Sequence, residues 1–228
     1  MKYIIVALLF VSCAVLADDV PPSVVSWSHT NVWFVEPPTG SGSGFWVDDE
    51  TFFTACHVAS TTVKDYGDDG KGNEVWHEEF VIHEKINIET YDGSQQMEMI
   101  VESCDVETDI AVLRSANGTK PRGVATTHIA RSAPPQGTEV WGAGYGMGEY
   151  YIASGHWQSM SASKWTLGKY VVTVPSVFGD SGSPLFTETN GVVTVVGMRQ
   201  ALRSYAESTV IPHLTLTCPP EQLVDASA

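Results

Sequence analysis

Three short segments fall in a fixed order along the chain: Thr54-Ala55-Cys56-His57-Val58, then Thr108-Asp109-Ile110-Ala111-Val112-Leu113, then Gly179-Asp180-Ser181-Gly182-Ser183-Pro184. They offer an imidazole, a carboxylate and a glycine-flanked hydroxyl. The same Ser/His/Asp geometry has arisen on unrelated folds, each with its own chain order, so the order His, Asp, Ser constrains architecture and chemistry together. Each segment alone is commonplace. Their co-occurrence in this order is what is specific.

The runs around these segments read as short strands: Ser23 to Trp27, Asn31 to Val35, Gly44 to Val47, Phe52 to Ala55, Phe80 to His83, Lys85 to Thr90, Met97 to Val101 and Ile110 to Leu113. Turn clusters such as Pro37-Pro38-Thr39-Gly40 and Asp92-Gly93 separate them. A second group follows at Glu139 to Ala143, Tyr150 to Ala153, Gly155 to Met160, Tyr170 to Val174, Pro184 to Thr187 and Val192 to Met198. Asn190-Gly191 between the last two is a strong hairpin signal, because the favoured two-residue turn needs positive φ at both positions. Only the tail after Pro219-Pro220, from Glu221 to Ala226, is expected to be helical. Two strand groups with so little helix imply an all-β chain of two six-stranded antiparallel barrels, with Ser115 to Pro135 as the crossover. We expect a first barrel over residues 18–120 carrying His57 and Asp109, and a second over residues 121–228 carrying Ser181.

The first 17 residues have the pattern of a cleaved secretory signal: Lys2, an apolar run from Tyr3 to Leu16, and Ala17 before Asp18-Asp19. A membrane anchor is the competing reading, but the run is shorter than the ~20 residues a spanning helix needs. Lipidation at Cys13 fits less well, because Ala14-Val15-Leu16 stays apolar beyond it. The protein is therefore expected to be secreted or periplasmic, with no stable membrane association after cleavage. The formal charge is -15, and loss of the leader removes Lys2 but no acid, which argues against nucleic acid as a partner. Of the four cysteines, Cys56, Cys104 and Cys218 remain after cleavage, an odd set that allows one internal bridge at most. A Cys56–Cys104 bridge is conceivable, and the competing reading is three small buried hydrophobes.

No cysteine or histidine pair has the spacing of a metal site, and no cofactor is expected. The acidic stretch from Asp65 to Glu74 does not fit the EF-hand template and reads as a solvated turn rather than a calcium loop. A serine hydroxyl is a poor nucleophile until a base removes its proton, so it needs an imidazole at hydrogen-bond distance. Ser181 and His57 fit those roles. A carboxylate must hold the imidazole in one tautomer, and Asp109, at the edge of the apolar run Ile110 to Leu113, suits that. Gly179 lets the chain turn tightly, so that its N–H and that of Ser181 can form an oxyanion hole, where one donor is worth roughly 3 kcal/mol of barrier.

With these residues in place, the chain resembles the chymotrypsin-like serine proteases, in a small secreted bacterial or viral style, over roughly Asn31 to Leu202. The segment Gly42-Ser43-Gly44-Phe45-Trp46-Val47 is similar to their glycine-rich strand before the histidine. The resemblance implies two barrels with the triad in the cleft between them and a protein or peptide substrate, and we expect a monomer. Two departures matter. Val58 stands where digestive members carry a bridged cysteine, and Asp18-Asp19-Val20 does not look like the new terminus whose amine pairs with the Asp beside the nucleophile. Asp180 thus lacks an evident amine partner, and no activation step of that kind is expected.

The resemblance also places a substrate pocket. Pro175 stands six residues before the nucleophile, where trypsins carry Asp, so cleavage after Lys or Arg is not expected. Ser176, Met198, Arg199 and Gln200 are the other expected pocket residues, on the strand Val195 to Gln200 and the segment before Ser181. Arg199 falls where glutamate-specific relatives place a histidine, which implies an acidic preference at P1, the residue before the scissile bond, through a bidentate pair. The competing reading has Arg199 facing solvent or packing against Glu207. The expected activity is a secreted serine endopeptidase working through an acyl-enzyme on Ser181. The alternatives are a catalytically silent binding module on the same fold, or a phage- or virus-encoded processing protease with a single target.

Overall fold

Pro21 and Pro22 open the described part of the chain, and they decide its first element. The computed structural model describes residues 20–68, 71, 74–160, 169–203, 214–218 and 220–227. The leader expected over residues 1–17 and Glu207 lie outside these. Helix α1 (Pro22–Asn31) replaces the strand expected at Ser23 to Trp27. Proline early in the first turn presets the helical φ, and the buried residues Val24, Trp27, Ser28 and Asn31 fall at i, i+3, i+4 and i+7, one face of a helix. That face docks through Trp27 on Phe186, ring centroids 4.9 Å apart. Asn31 straps the crossover, donating from Nδ2 to the Ala125 carbonyl at 2.7 Å and to the Trp46 carbonyl at 3.2 Å.

The first barrel uses β1 (Val32–Glu36), β2 (Gly42–Trp46) and β3 (Phe52–Thr54). A separate two-stranded hairpin of β4 (Ser60–Asp68) and β5 (Glu74–Ile82) follows. Then come β6 (Ile86–Glu89), β7 (Gln96–Asp105) and β8 (Ile110–Ser115), and the barrel closes in the order β1-β2-β3-β8-β7-β6. Residues 65–68 and Glu74 of the acidic stretch are paired strand, with Asp65 opposite His77 and Asp68 opposite Glu74. No cluster suited to a metal ion occurs among the described residues. Trp33, Phe45, Trp46, Phe52, Phe53, Ile88, Met99 and Leu113 fill the interior, each buried.

The crossover carries the short β9 (His128–Ile129), which runs parallel to the later strand β14. The second barrel is built from β10 (Glu139–Gly146), β11 (Glu149–Met160), β12 (Tyr170–Val172), β13 (Pro184–Thr189), β14 (Val192–Arg203) and β15 (Leu214–Thr217). Its pairings run β10-β11-β12-β15-β14-β13 and return to β10, a ring of six antiparallel strands. The two runs expected on either side of Ser154 are one strand, since Ser154 pairs with Trp141 without a break. Two hairpin turns share one chemistry: Asn190-Gly191 has φ of 52° and 84°, Met147-Gly148 has 55° and 84°, and both match the primed turn whose twist suits paired strands. Helix α2 (Pro220–Ala226) closes the chain, seating Leu223 in the main core. No helix among the described residues is long and apolar enough to cross a membrane.

Cys56 and Cys104 form a disulfide across 48 residues, worth about 4 kcal/mol in the chain-entropy picture. Cys218 is free and buried, and burial pushes its thiol up to about 12. In a chain beginning at Asp18, native protein should therefore not react with iodoacetamide, and denatured, unreduced protein should expose one thiol. A thiol titration reading three after denaturation would show that the bridge does not form.

Candidate active site

β3 ends at Thr54 and β8 begins at Ile110, and their pairing of Thr54 with Ala111 brings the His57 and Asp109 segments side by side. The His57 backbone N–H donates to Asp109 Oδ1 at 3.0 Å, and its ring Nδ1 lies 3.1 Å from Oδ1 and 2.9 Å from Oδ2. A carboxylate only accepts, so Nδ1 carries the proton and Nε2 is left as the basic nitrogen. Asp109 has φ of 59°, a left-handed conformation that costs a non-glycine residue energy and must be held by its surroundings. Cys56 N–H donates to its carbonyl at 3.3 Å and Gln200 Nε2 donates to it at 3.1 Å. Gln200 Nε2 also reaches the Thr108 carbonyl at 2.6 Å, while Lys169 Nζ bonds that carbonyl at 3.2 Å and the Gln200 Oε1 as well.

Ser181 enters from the turn between Val174 and β13. Gly179 has φ of 100°, and a Cβ there would sit 2.4 Å from the Tyr145 carbonyl oxygen, so only glycine fits. The Phe178 carbonyl accepts from Met147 N–H at 2.6 Å. In a trans peptide the next N–H points the opposite way, so this anchor turns the Gly179 N–H away from β10. The N–H groups of Gly179 and Ser181 have no hydrogen-bond partner among the described residues, as an unfilled oxyanion hole requires. Ser43 on β2 binds this turn from the first barrel: its N–H donates to the Ser181 carbonyl and its Oγ to the Gly179 carbonyl, both at 2.8 Å.

A cleft of about 1030 Å³ is lined by His57, Ser181 and Gly179, with Ser176, Arg199 and Gln200 beside them. His57 and Ser181 share the cleft wall, and Asp109 stands behind His57. The Ser181 hydroxyl makes no side-chain hydrogen bond among the described residues, and nucleophile–base contacts commonly tighten only on substrate binding. Two expected pocket residues lie elsewhere. Met198 is fully buried in the main core, and its backbone carbonyl accepts from Cys218 N–H at 3.4 Å and from Thr217 Oγ1 at 2.8 Å. Pro175 does not line the cleft, and its carbonyl instead accepts from Tyr151 Oη at 3.3 Å.

Arg199 does not face solvent, and Glu207, its other expected neighbour, lies outside the described residues. The Arg199 side chain is 1% exposed and its Nη1 lies 3.0 Å from Asp180 Oδ2, itself 1% exposed. Nη1 also donates to Tyr151 Oη at 2.9 Å, and the guanidinium carbon sits 5.6 Å from the Tyr151 ring centre. Asp180 Oδ2 further accepts from Tyr151 Oη, Ser176 Oγ at 3.0 Å and Val177 N–H at 2.7 Å. Burial raises the Tyr151 phenol to about 12, so it stays protonated and can donate to that carboxylate. Asp180 therefore has a cationic partner, and it comes from inside the chain. Sequence reasoning also passed over Met147 and Phe178, which are 75% and 81% exposed at the cleft, and Thr39, Gly40 and Ser41 from the β1–β2 turn. Phe178, next to Gly179, was the one with a readable signal.

The profile of the trypsin-like peptidase domain matches residues 42–198. No curated protein matches the chain. Among solved structures, the active form of the Rv3671c protease of Mycobacterium tuberculosis superposes with a TM-score of 0.62 at 16% identity, covering 90% of this chain and 82% of that one. The inactive form of a serine-to-alanine mutant of Rv3671c gives 0.60 at 17% identity, covering 90% and 87%. At such identities the likeness is one of fold.

The clamp on Asp109 can be tested apart from the triad itself. Gln200→Ala should lower kcat roughly 10- to 100-fold with KM changed by less than about threefold, because misplacing a catalytic group costs rate rather than ground-state binding. Steady-state kinetics on one peptide checks this, and unchanged kcat would remove the clamp from the account.

Proposed function

Because the chain belongs to the trypsin-like peptidase domain family, its match spanning residues 42–198, we propose that it is a secreted serine endopeptidase. The observation that carries this reading is the His57 Nδ1–Asp109 pair at 2.9 Å, with His57 lining the same cleft as Ser181 and Gly179. His57 Nε2 takes the proton from Ser181 Oγ as the oxygen attacks the substrate carbonyl carbon. The developing oxyanion meets the N–H groups of Gly179 and Ser181. Collapse of the tetrahedral species expels the amine, which receives that proton from His57, and leaves an ester on Ser181. Water then attacks the ester with His57 again as base, releasing the acid and restoring the hydroxyl.

Secretion is supported by the leader pattern at residues 1–17 and by the Cys56–Cys104 disulfide. Arg199 is poorly placed to give an acidic P1 preference. A guanidinium already neutralised by Asp180 at 3.0 Å presents no net charge to a substrate carboxylate. The exposed rim of Met147, Val177 and Phe178 favours apolar side chains near the scissile bond instead.

A fluorophosphonate probe should label the wild-type protein and leave Ser181→Ala unlabelled, whereas a silent binding module would take up no label in either. Asp109→Asn should reduce kcat by about 10⁴ through loss of the correct tautomer. A peptide-library profile then separates broad endopeptidase action from single-target processing.

A further inference from the structure

We propose that the β4–β5 ribbon is a docking site for protein substrates, taking as a third strand an extended segment in which basic and apolar residues alternate. Among the described residues β4 and β5 pair with each other and with neither barrel, so each keeps an outer edge without a strand partner. The pairing is long and regular. It runs in unbroken register from Ser60 opposite Ile82 to Asp68 opposite Glu74, with no bulge, and residues 60–82 contain no proline. Proteins blunt an exposed edge with bulges, prolines or charges, because its free N–H and C=O groups recruit other chains. Here charge is the device that remains, and charge selects the partner.

Neither face of the ribbon is packed away. Opposed residues of an antiparallel pair share a face and successive ones alternate, so Val63 and Val81 lie on one face and Phe80 and Ile82 on the other. All four are more than a third exposed. A two-stranded hairpin is marginal in water, and apolar groups spread over both its faces are covered by a further strand whose own side chains alternate.

Charge decides between the possible occupants. Residues 60–82 carry six acidic residues against Lys64 and Lys71, an excess of four negative charges. A second copy of this chain would bring the same excess to the contact and be repelled, whereas a basic segment is drawn in. The root of the ribbon lies beside the base. Ser60 Oγ donates to the Cys56 carbonyl at 2.7 Å, and His83 N–H, just after β5, donates to the Ala59 carbonyl at 3.0 Å. Both strands thus spring from the turn that carries His57 and Val58 into the cleft wall. A protein held on the ribbon is held near Ser181, which raises the local concentration of the segment to be cut. The ribbon touches no reacting atom, so its effect falls on KM rather than kcat.

The proposal rests on the endopeptidase reading, and a binding measurement separates the two. Ser181→Ala, which cannot cleave, is titrated by fluorescence anisotropy with a labelled peptide of alternating lysine and valine as long as β4. Binding should weaken roughly 10-fold when Val63→Ser/Phe80→Ser is added, and severalfold with Glu79→Lys. Equal binding of a lysine–serine or a glutamate–valine peptide, or binding unchanged in both variants, would overturn the proposal. So would self-association of the wild type in sedimentation that Val63→Ser/Phe80→Ser abolishes, since a second copy would then be the occupant. In the active protein, a cleavable peptide joined by a flexible linker to the lysine–valine segment should show KM lowered roughly 10-fold relative to the short peptide, with kcat within about twofold. Val63→Ser/Phe80→Ser should erase that gain and leave cleavage of the short peptide unchanged. No fluorophosphonate labelling of folded wild type defeats the endopeptidase reading and the docking role with it. Labelling with equal KM for the two peptides defeats the docking role alone.

Discussion

The seam between the barrels rests on Ser43. His57 and Asp109 belong to the first barrel and Ser181 to the second, so no single sheet sets the distance between base and nucleophile. Ser43 holds the Ser181 and Gly179 carbonyls with its N–H and Oγ, while Oγ also accepts from the Tyr145 N–H of β10 at 2.9 Å. Its own carbonyl accepts from Thr54 Oγ1, three residues before His57, at 2.7 Å. One residue thus touches the nucleophile turn, the wall behind it and the strand that delivers the imidazole. The close approach explains Gly182: its φ is 86°, and a Cβ there would stand 2.2 Å from the Ser43 carbonyl oxygen. The glycine after the nucleophile lets the two barrels touch.

Around that seam the second barrel carries an unusual polar interior. Desolvating a guanidinium and a carboxylate costs several kcal/mol each, and hydrogen bonds offset this only where geometry allows. Asp180 Oδ2 is fully engaged, yet Asp180 Oδ1, Arg199 Nε and Arg199 Nη2 have no hydrogen-bond partner among the described residues. An apolar pair would pack there at lower cost. Gly142, Gly144 and Gly146 of β10, where a Cβ would meet Arg199 or Asp180, also forgo side-chain packing, so the cluster is expensive on two counts, and its return is a nucleophile turn held by charge rather than by shape.

Much of this was legible where information is local. The three segments carried His57, Asp109 and Ser181, Asn190-Gly191 carried its hairpin, and the glycine-rich strand around Ser43 was recognisable by resemblance. The short helix after Pro219-Pro220 was also visible. What failed was tertiary. The β-branched pair Val24-Val25 suggested a strand, although the proline start and the spacing of Val24, Trp27, Ser28 and Asn31 already fitted a helix. Arg199 was placed at the right point along the chain but given the wrong direction, because nothing local says that β10 has vacated the space for it. Met198, one residue earlier, was assigned to the pocket and is core. The strand β15 and the clamp made by Gln200 and Lys169 depend on distant partners and left no periodic signal.

The last point ties the two halves of the site to one strand. Gln200 falls at a register shift in the β14–β15 pairing, between Arg199 opposite Thr217 and Ala201 opposite Leu216, and its side chain and that of Arg199 reach different partners. Arg199 turns into the barrel and meets Asp180, the residue beside the nucleophile, while Gln200 turns toward the first barrel and meets the carbonyls of Thr108 and Asp109. β14 therefore governs the oxyanion side and the base side together. This works in a single register, because a slip of one residue would send the cation toward the triad carboxylate and the amide toward the buried acid. The register is pinned beside the nucleophile itself: Gly182 N–H donates to the Arg199 carbonyl and Arg199 N–H to the Ser183 carbonyl, both at 2.8 Å. The backbone bonds that seat Ser181 are the same ones that set where Arg199 and Gln200 reach, so nucleophile, anion hole and base are aligned by one local strand pairing.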